Sequence, residues 1–402
     1  MSEPVVITGA GLITSIGAGL DEFSSALFEG RLGTGHSGVI ELDGTMEVVT
    51  CEVPEFTPQR WLGPKGIRVL DRSARLLAVA AQLCLEAVGR VPSDSDEGDP
   101  ELGMVCGTMF GSVHSIASFD WSGLQDGVKY VNPMAFPNTV INSPAGQAAI
   151  RHKLRGVNST ISAGLASSLV SILYAVDFLR FGRARMLLAG GVEEIAEESY
   201  LGFRKNGLLS KNYRALPFLE QRDGVVLGEG SALFALELAS SAAERGAVPL
   251  GEVAGAGWAH DAHRIDSFSL DSEGAERAIR AALQAADVSP EQIGGIVSSA
   301  SGSRGGDFME AEALRRVFGN RLGEIPVTCP KAACGETLGA GGAIGVAAAL
   351  ESLRSGQVPP TAGVDEAPRN LRLRGEAQPL AGRFVLVTAF SCEGSNAALV
   401  LR

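Results

Sequence analysis

The chain has no cluster of metal-ligand residues, no long apolar run and no excess of positive charge, and each absence removes a class of function. Its six cysteines, Cys51, Cys84, Cys106, Cys329, Cys334 and Cys392, are scattered over 402 residues without the paired spacing of a zinc site. That usage fits a reducing, cytoplasmic setting better than a disulfide scaffold. The five histidines form no ligand set either. His260 and His263 come closest, but no third or fourth ligand stands nearby, so a surface loop is expected there. A formal charge of −12 disfavours nucleic acid and anionic membrane surfaces as partners. The longest apolar run, residues 337–350, is short for a bilayer span and rich in Gly and Ala, which points to a buried core helix. No basic segment precedes an apolar stretch near the start, so a secretion signal is not expected.

What the chain does contain is glycine, 51 of them, implying many tight turns and close backbone contacts. Its length exceeds the usual single core, and strand and helix patterns alternate throughout, which predicts an α/β architecture. Strands are predicted at 5–8, 104–107, 159–162, 186–189 and 232–238, then at 252–256, 296–299, 327–329, 384–388 and 397–401. Helices are predicted at 71–88, with Asp71 as a cap, and at 166–181, 274–286 and 341–355. A faint duplication accompanies this alternation. Ile7-Thr8-Gly9-Ala10-Gly11 is echoed by Val253-Ala254-Gly255-Ala256-Gly257, and Gly103-Met104-Val105 by Gly295-Ile296-Val297. A polar interruption at 246–251 divides the chain into halves 1–246 and 247–402. Gly9 and Gly11 could open a dinucleotide fingerprint, but its third glycine would fall at Thr14 and no acidic residue ends a second strand at the expected distance.

Three segments carry the chemistry. Residues 156–169 read as a strand, a tight turn (Ala163-Gly164-Leu165-Ala166-Ser167) and the start of a buried helix with Leu169, Ile172, Leu173, Val176 and Leu179 on its apolar face and Gly182 just past its end. The second segment is Ser299-Ala300-Ser301-Gly302-Ser303, followed by Gly306-Asp307 and Glu310-Ala311. The third is Lys331-Ala332-Ala333-Cys334-Gly335-Glu336 before the Gly/Ala-rich helix.

In order and spacing these segments resemble the β-ketoacyl synthases of fatty-acid and polyketide assembly, and the likeness extends along essentially the whole chain. It includes 138–147, Gly190-Gly191-Val192-Glu193, Leu216-Pro217-Phe218, Arg222-Asp223-Gly224, Gly228-Glu229-Gly230, 356–361 and Phe390-Ser391-Cys392-Glu393-Gly394-Ser395-Asn396. The resemblance implies the thiolase fold, two similar α/β halves in a five-layered αβαβα core, and no cofactor. It also assigns roles. The nucleophilic cysteine of the family falls at Leu165, its two histidines at Ser299 and Glu336, and its gating phenylalanine at Cys392, while its lysine is kept as Lys331.

Those changes matter chemically. Leucine cannot carry an acyl group, whereas a thiolate at a helix N-terminus can. Serine donates a hydrogen bond but cannot become a cation, and an ionised glutamate only accepts, so at 336 it would repel a malonyl carboxylate. The expectation is a non-condensing, chain-length-factor-like subunit of a type II synthase. It would pair with an active ketosynthase α subunit and shape that partner's acyl tunnel through a segment at 107–137, with Met109, Phe110, Met134 and Phe136 as the bulky side chains. Many such factors carry glutamine at the cysteine position, so Leu165 leaves an aromatic polyketide and a polyene both open. Acyl carrier protein would dock mainly on the partner, although Lys65, Arg68, Arg72 and Arg75 form a local basic cluster that is otherwise a solvated helix end. The competing expectation is a repurposed acyltransferase or hydrolase that uses Glu336 with Cys334 or Cys392.

Overall fold

The structure, a computed structural model, describes residues 3–42, 47–92, 97–364 and 370–402. The principal strands of the first half are β1 (Val5–Thr14), β2 (Leu102–Gly107), β3 (Asn158–Ile161), β4 (Met186–Glu193) and β5 (Gly230–Leu238). Those of the second half are β6 (Gly251–His260), β7 (Ile293–Val297), β8 (Pro326–Thr328), β9 (Phe384–Phe390) and β10 (Ser395–Leu401). The helices that matter here are α1 (Arg72–Ala87), α2 (Val113–Asp126), α3 (Ser143–Arg151), α4 (Ser167–Arg180), α5 (Glu273–Ala286), α6 (Arg304–Phe318) and α7 (Gly341–Ser355).

The two halves repeat one strand order, β3-β2-β4-β5-β1 and β8-β7-β9-β10-β6, and join where β1 pairs antiparallel with β6 at Val5–Val253. Successive residues of each sheet point to opposite faces, which sorts the core into layers. Met104 and Leu188 join α1 and α3 in an outer core. Val105 and Leu187 face inward, where Leu169 and Ile172 of α4 and Ile344 and Ala347 of α7 share a central core with Val385 and Leu399 of the other sheet. Leu386 and Val400 then face Ile279 of α5 and Leu314 of α6. This is the αβαβα stack of the thiolase fold. The 337–350 run supplies its middle layer, and Gly345 of α7 leaves room for Val387 and Val297.

The duplicated glycines have a packing cause. A Cβ at Gly11 would overlap the Ala80 carbonyl and the Cys84 amide of α1, and one at Gly257 would overlap the Ala278 carbonyl and Ala282 amide of α5. In each half an outer helix lies directly on the backbone of a central strand. The dinucleotide alternative fails for the same reason, since Gly9 and Gly11 sit inside a ten-residue strand and not in a phosphate-binding turn.

Predicted α7 coincides with the observed helix, and α4 differs by one residue at each end. Past α4, Gly182 has φ +64°, its N–H donates to the Leu179 carbonyl, and the Arg183 N–H reaches Phe178, closing the helix as expected. Asp71 caps α1, its carboxylate accepting from the Ala74 N–H at 2.9 Å. Asp71→Ala is expected to cost about 1 kcal/mol, measured by urea unfolding. Most strands run longer than expected, β1 to Thr14, β4 to Glu193, β6 to His260 and β9 to Phe390, whereas β3, β7 and β8 end earlier. Strand β7 stops at Val297 because the Ser299 N–H turns to the side chains of Glu310 and Thr388, and β8 stops at Thr328 because the Cys329 N–H is taken by the Thr361 hydroxyl. Helices α2, α3 and α6 were absent from the sequence-based expectation.

Candidate functional site

The site is built where three chain segments meet. Strand β3 leads into the turn at 163–166, where Gly164 takes φ +56°, a conformation an L side chain adopts only with strain. Ser167 locks that turn, accepting from the Ala163 N–H at 2.9 Å and donating to the Gly164 carbonyl at 2.6 Å. Leu165 is thereby held at the tip of α4, partly buried. Met109 and Phe110 pack with it against a cluster containing Ile195, Tyr200, Val225, Leu227 and Leu338.

Ser299 follows β7. Its hydroxyl donates to Glu310 Oε2 at 2.9 Å, and its N–H lies 3.2 Å from Glu310 Oε1. Glu310 also accepts from Thr388 at 2.5 Å, and its burial raises the carboxyl above the usual range. Glu336 is buried and ion-paired with Lys331, with Nζ 2.8 Å from Oε1 and 2.9 Å from Oε2, and it accepts the Leu338 N–H at 3.1 Å. Leu165, Ser299 and Glu336 line one space together with Phe268, Asp307 and Phe390. Its volume is about 10 Å3, room for at most one water.

The chain folds over this space from the turn between β9 and β10. There the Ser391 Oγ accepts the Leu165 N–H at 3.0 Å and donates to the Glu393 carboxylate. Cys392 beside them is partly buried, its thiol pushed up to about 12 by burial and then by the charge of Glu393. Burial pushes the Cys334 thiol up as well, and Cys51 adds to the effect.

The proposed tunnel residues divide. Met109 and Phe110 lie at the site, their N–H groups donating to Glu193 at 2.7 and 2.9 Å. Burial pushes the Glu193 carboxyl up to about 7, while those N–H groups, that of Gly339 and the Thr108 hydroxyl pull it back. Met134 and Phe136 instead stand on an exposed turn, Pro133–Asn138, being 78% and 59% accessible, with Phe136 edge-on to Phe119. Helix α2 and this turn bury no side chain. Trp121, Leu124, Val128 and Tyr130 are also exposed, and β3 has a neighbour on one side only among the described residues.

The basic cluster is smaller than its sequence suggests. Arg72 turns inward to a bidentate pair with buried Glu229, at 2.7 and 2.5 Å, leaving Lys65 and Arg68 exposed. His260 accepts the Ala262 N–H, and no metal-holding group of residues occurs among the described residues. No described helix is long and apolar enough to cross a membrane.

The β-ketoacyl synthase N-terminal domain matches residues 2–242 and the C-terminal domain residues 250–365. The chain belongs to the β-ketoacyl synthase family. Among its relatives is the 3-oxoacyl-[acyl-carrier-protein] synthase 2 of Rhizobium meliloti, 30% identical over 99% of this chain and 98% of that one. The actinorhodin polyketide putative beta-ketoacyl synthase 2 of Streptomyces coelicolor is 32% identical with the same coverage. A solved structure described as the ishigamide ketosynthase/chain length factor superposes with a TM-score of 0.92, at 28% identity, covering 100% of this chain and 99% of that one.

Within this β-ketoacyl synthase scaffold, Ser391, Glu393, Glu310 and Glu193 are the residues whose roles the sequence did not disclose. Ser391 and Glu393 flank Cys392, the position at which the resemblance puts the family's gating phenylalanine. That departure was the available signal for them. Glu193 and Glu310 lay in segments that matched the family, with nothing to mark them as hydrogen-bond hubs.

Proposed function

We propose that this chain is a non-condensing, chain-length-factor-like subunit of a type II synthase, pairing with an active ketosynthase and helping to shape that partner's acyl tunnel. The observation that carries the proposal is the state of the space around Leu165. An aliphatic side chain sits at the tip of α4, Ser299 is committed to Glu310, and Glu336 is committed to Lys331. Neither the thiol nor the pair of neutral donors that a condensation needs is present there. Exposed Met134 and Phe136 support a surface that meets a second subunit, since exposed apolar patches of this kind mark interaction surfaces, and β3 has a free edge among the described residues. The similar ketosynthase/chain length factor structure lends support at the level of the fold and its assembly class.

The acyltransferase alternative gains nothing from the geometry, because Cys334 and Cys392 are both held as thiols and Glu336 is engaged by Lys331. Co-expression with a cysteine-bearing ketosynthase tests the proposal. A stable one-to-one complex is expected on size-exclusion chromatography with mass detection. A soluble homodimer with no affinity for any such ketosynthase would contradict it, as would an acyl adduct on this chain in the complex.

A further inference from the structure

Ser391 and Glu393 do more than fill a turn. Ser391 is completely buried, and its hydroxyl occupies the Leu165 N–H, the amide at the position a nucleophile would hold. Glu393 accepts from that hydroxyl and packs so closely on Gly164 that a Cβ there would overlap both its carboxylate and Ser391 Oγ. The turn is fixed from behind. The Ser391 N–H donates to the Ser395 carbonyl at 3.0 Å and the Gly394 N–H to the Ser391 carbonyl at 3.0 Å, with Gly394 at φ +93°. Glu336 faces the same space from the other side with Lys331 as its counter-ion, and Cys392 is the remaining titratable group in the turn.

We infer that the Ser391–Glu393 pair is a built-in lock on the former thioester site, taking the amide that would stabilise an oxyanion and setting a carboxyl group against the turn that presents residue 165. The inference rests on the non-condensing reading and deepens it: loss of chemistry would be enforced by the β9–β10 turn as well as by Leu165. An oxyanion is stabilised by amides left free to donate to it, and a neighbouring carboxylate disfavours a thiolate. Here the first effect acts on the Leu165 amide and the second on a thiol carried by the same turn.

The test uses the full-length chain and the rate of alkylation by iodoacetamide at position 165, followed by peptide mass spectrometry from pH 6 to 10. Leu165→Cys is compared with Leu165→Cys/Ser391→Gly/Glu393→Gly. The introduced thiol is expected to react at least about tenfold faster at pH 7 in the triple variant, equivalent to a downward move of about one pH unit in its midpoint. Equal rates and equal midpoints in two cooperatively folded variants would overturn the lock. Should the triple variant fail to fold, Leu165→Cys/Glu393→Gln keeps the volume and removes the charge. A lower midpoint is expected from it, and an unchanged one would overturn the inference. Ketosynthase binding, measured on the same preparations, separates the two ideas. Lost pairing with an intact rate difference removes the partner role and leaves the lock, and the converse removes the lock alone.

Discussion

Lys331→Met is expected to lower the unfolding free energy by about 3–5 kcal/mol, the usual cost of leaving one member of a buried ion pair without its partner. Lys331 and Glu336 have side chains only 7% and 3% exposed and meet at 2.8 Å. Removing the ammonium leaves Glu336 with the Leu338 N–H as its remaining donor, too little to offset the desolvation of a carboxylate. The pair itself is worth far less than the cost of breaking it. Lys331→Met/Glu336→Leu should therefore recover most of the loss, since apolar replacements of a buried pair are often neutral. Urea unfolding of both variants checks this, and a single variant within about 1 kcal/mol of the parent chain would contradict it.

Leu165→Cys alone is expected to yield no detectable β-ketoacyl product from malonyl and acyl thioesters. Restoring sulfur supplies a nucleophile but not the donors that stabilise the enolate and the tetrahedral intermediate. Removal of one such donor costs on the order of 10² to 10³ in rate, and on the proposed reading two are missing, at 299 and 336. The Ser299 hydroxyl already donates to Glu310, and Glu336 accepts where a donor is required. The Leu165 amide is also taken by Ser391. Product analysis by mass spectrometry, with a cysteine-bearing ketosynthase as positive control, measures the outcome. Turnover above the parent chain's background would show that the remaining scaffold is catalytically sufficient.

The fold was legible because its signals are local. Glycine pairs such as Gly255-Ala256-Gly257 recur at the same stage of each half, and an apolar stripe such as Leu169, Ile172, Val176 and Leu179 needs no distant residue to be recognised. Leu165, Ser299 and Glu336 were picked out for the same reason, each lying in a short motif of fixed spacing, and the structure brings the three to one space. What stayed hidden depends on contacts between distant segments. The Leu165 amide and the Ser391 hydroxyl are 226 positions apart in sequence, and no periodicity links them. Arg72 read as part of an exposed basic cluster because its partner, buried Glu229, is 157 positions away. Met134 and Phe136 were grouped with Met109 and Phe110 as bulky tunnel side chains, but only the second pair packs against the cluster beside Leu165.

Strand β3 carries a cost while its outer edge has no neighbour among the described residues. An open edge is a template for wrong pairing as much as for right pairing, and Trp121, Tyr130, Met134 and Phe136 add exposed apolar surface on the same chain. Under the proposed pairing, the amount of this polypeptide that stays usable in a cell would follow synthesis in step with the subunit that caps that edge, and surplus copies would be diverted to aggregation or proteolysis.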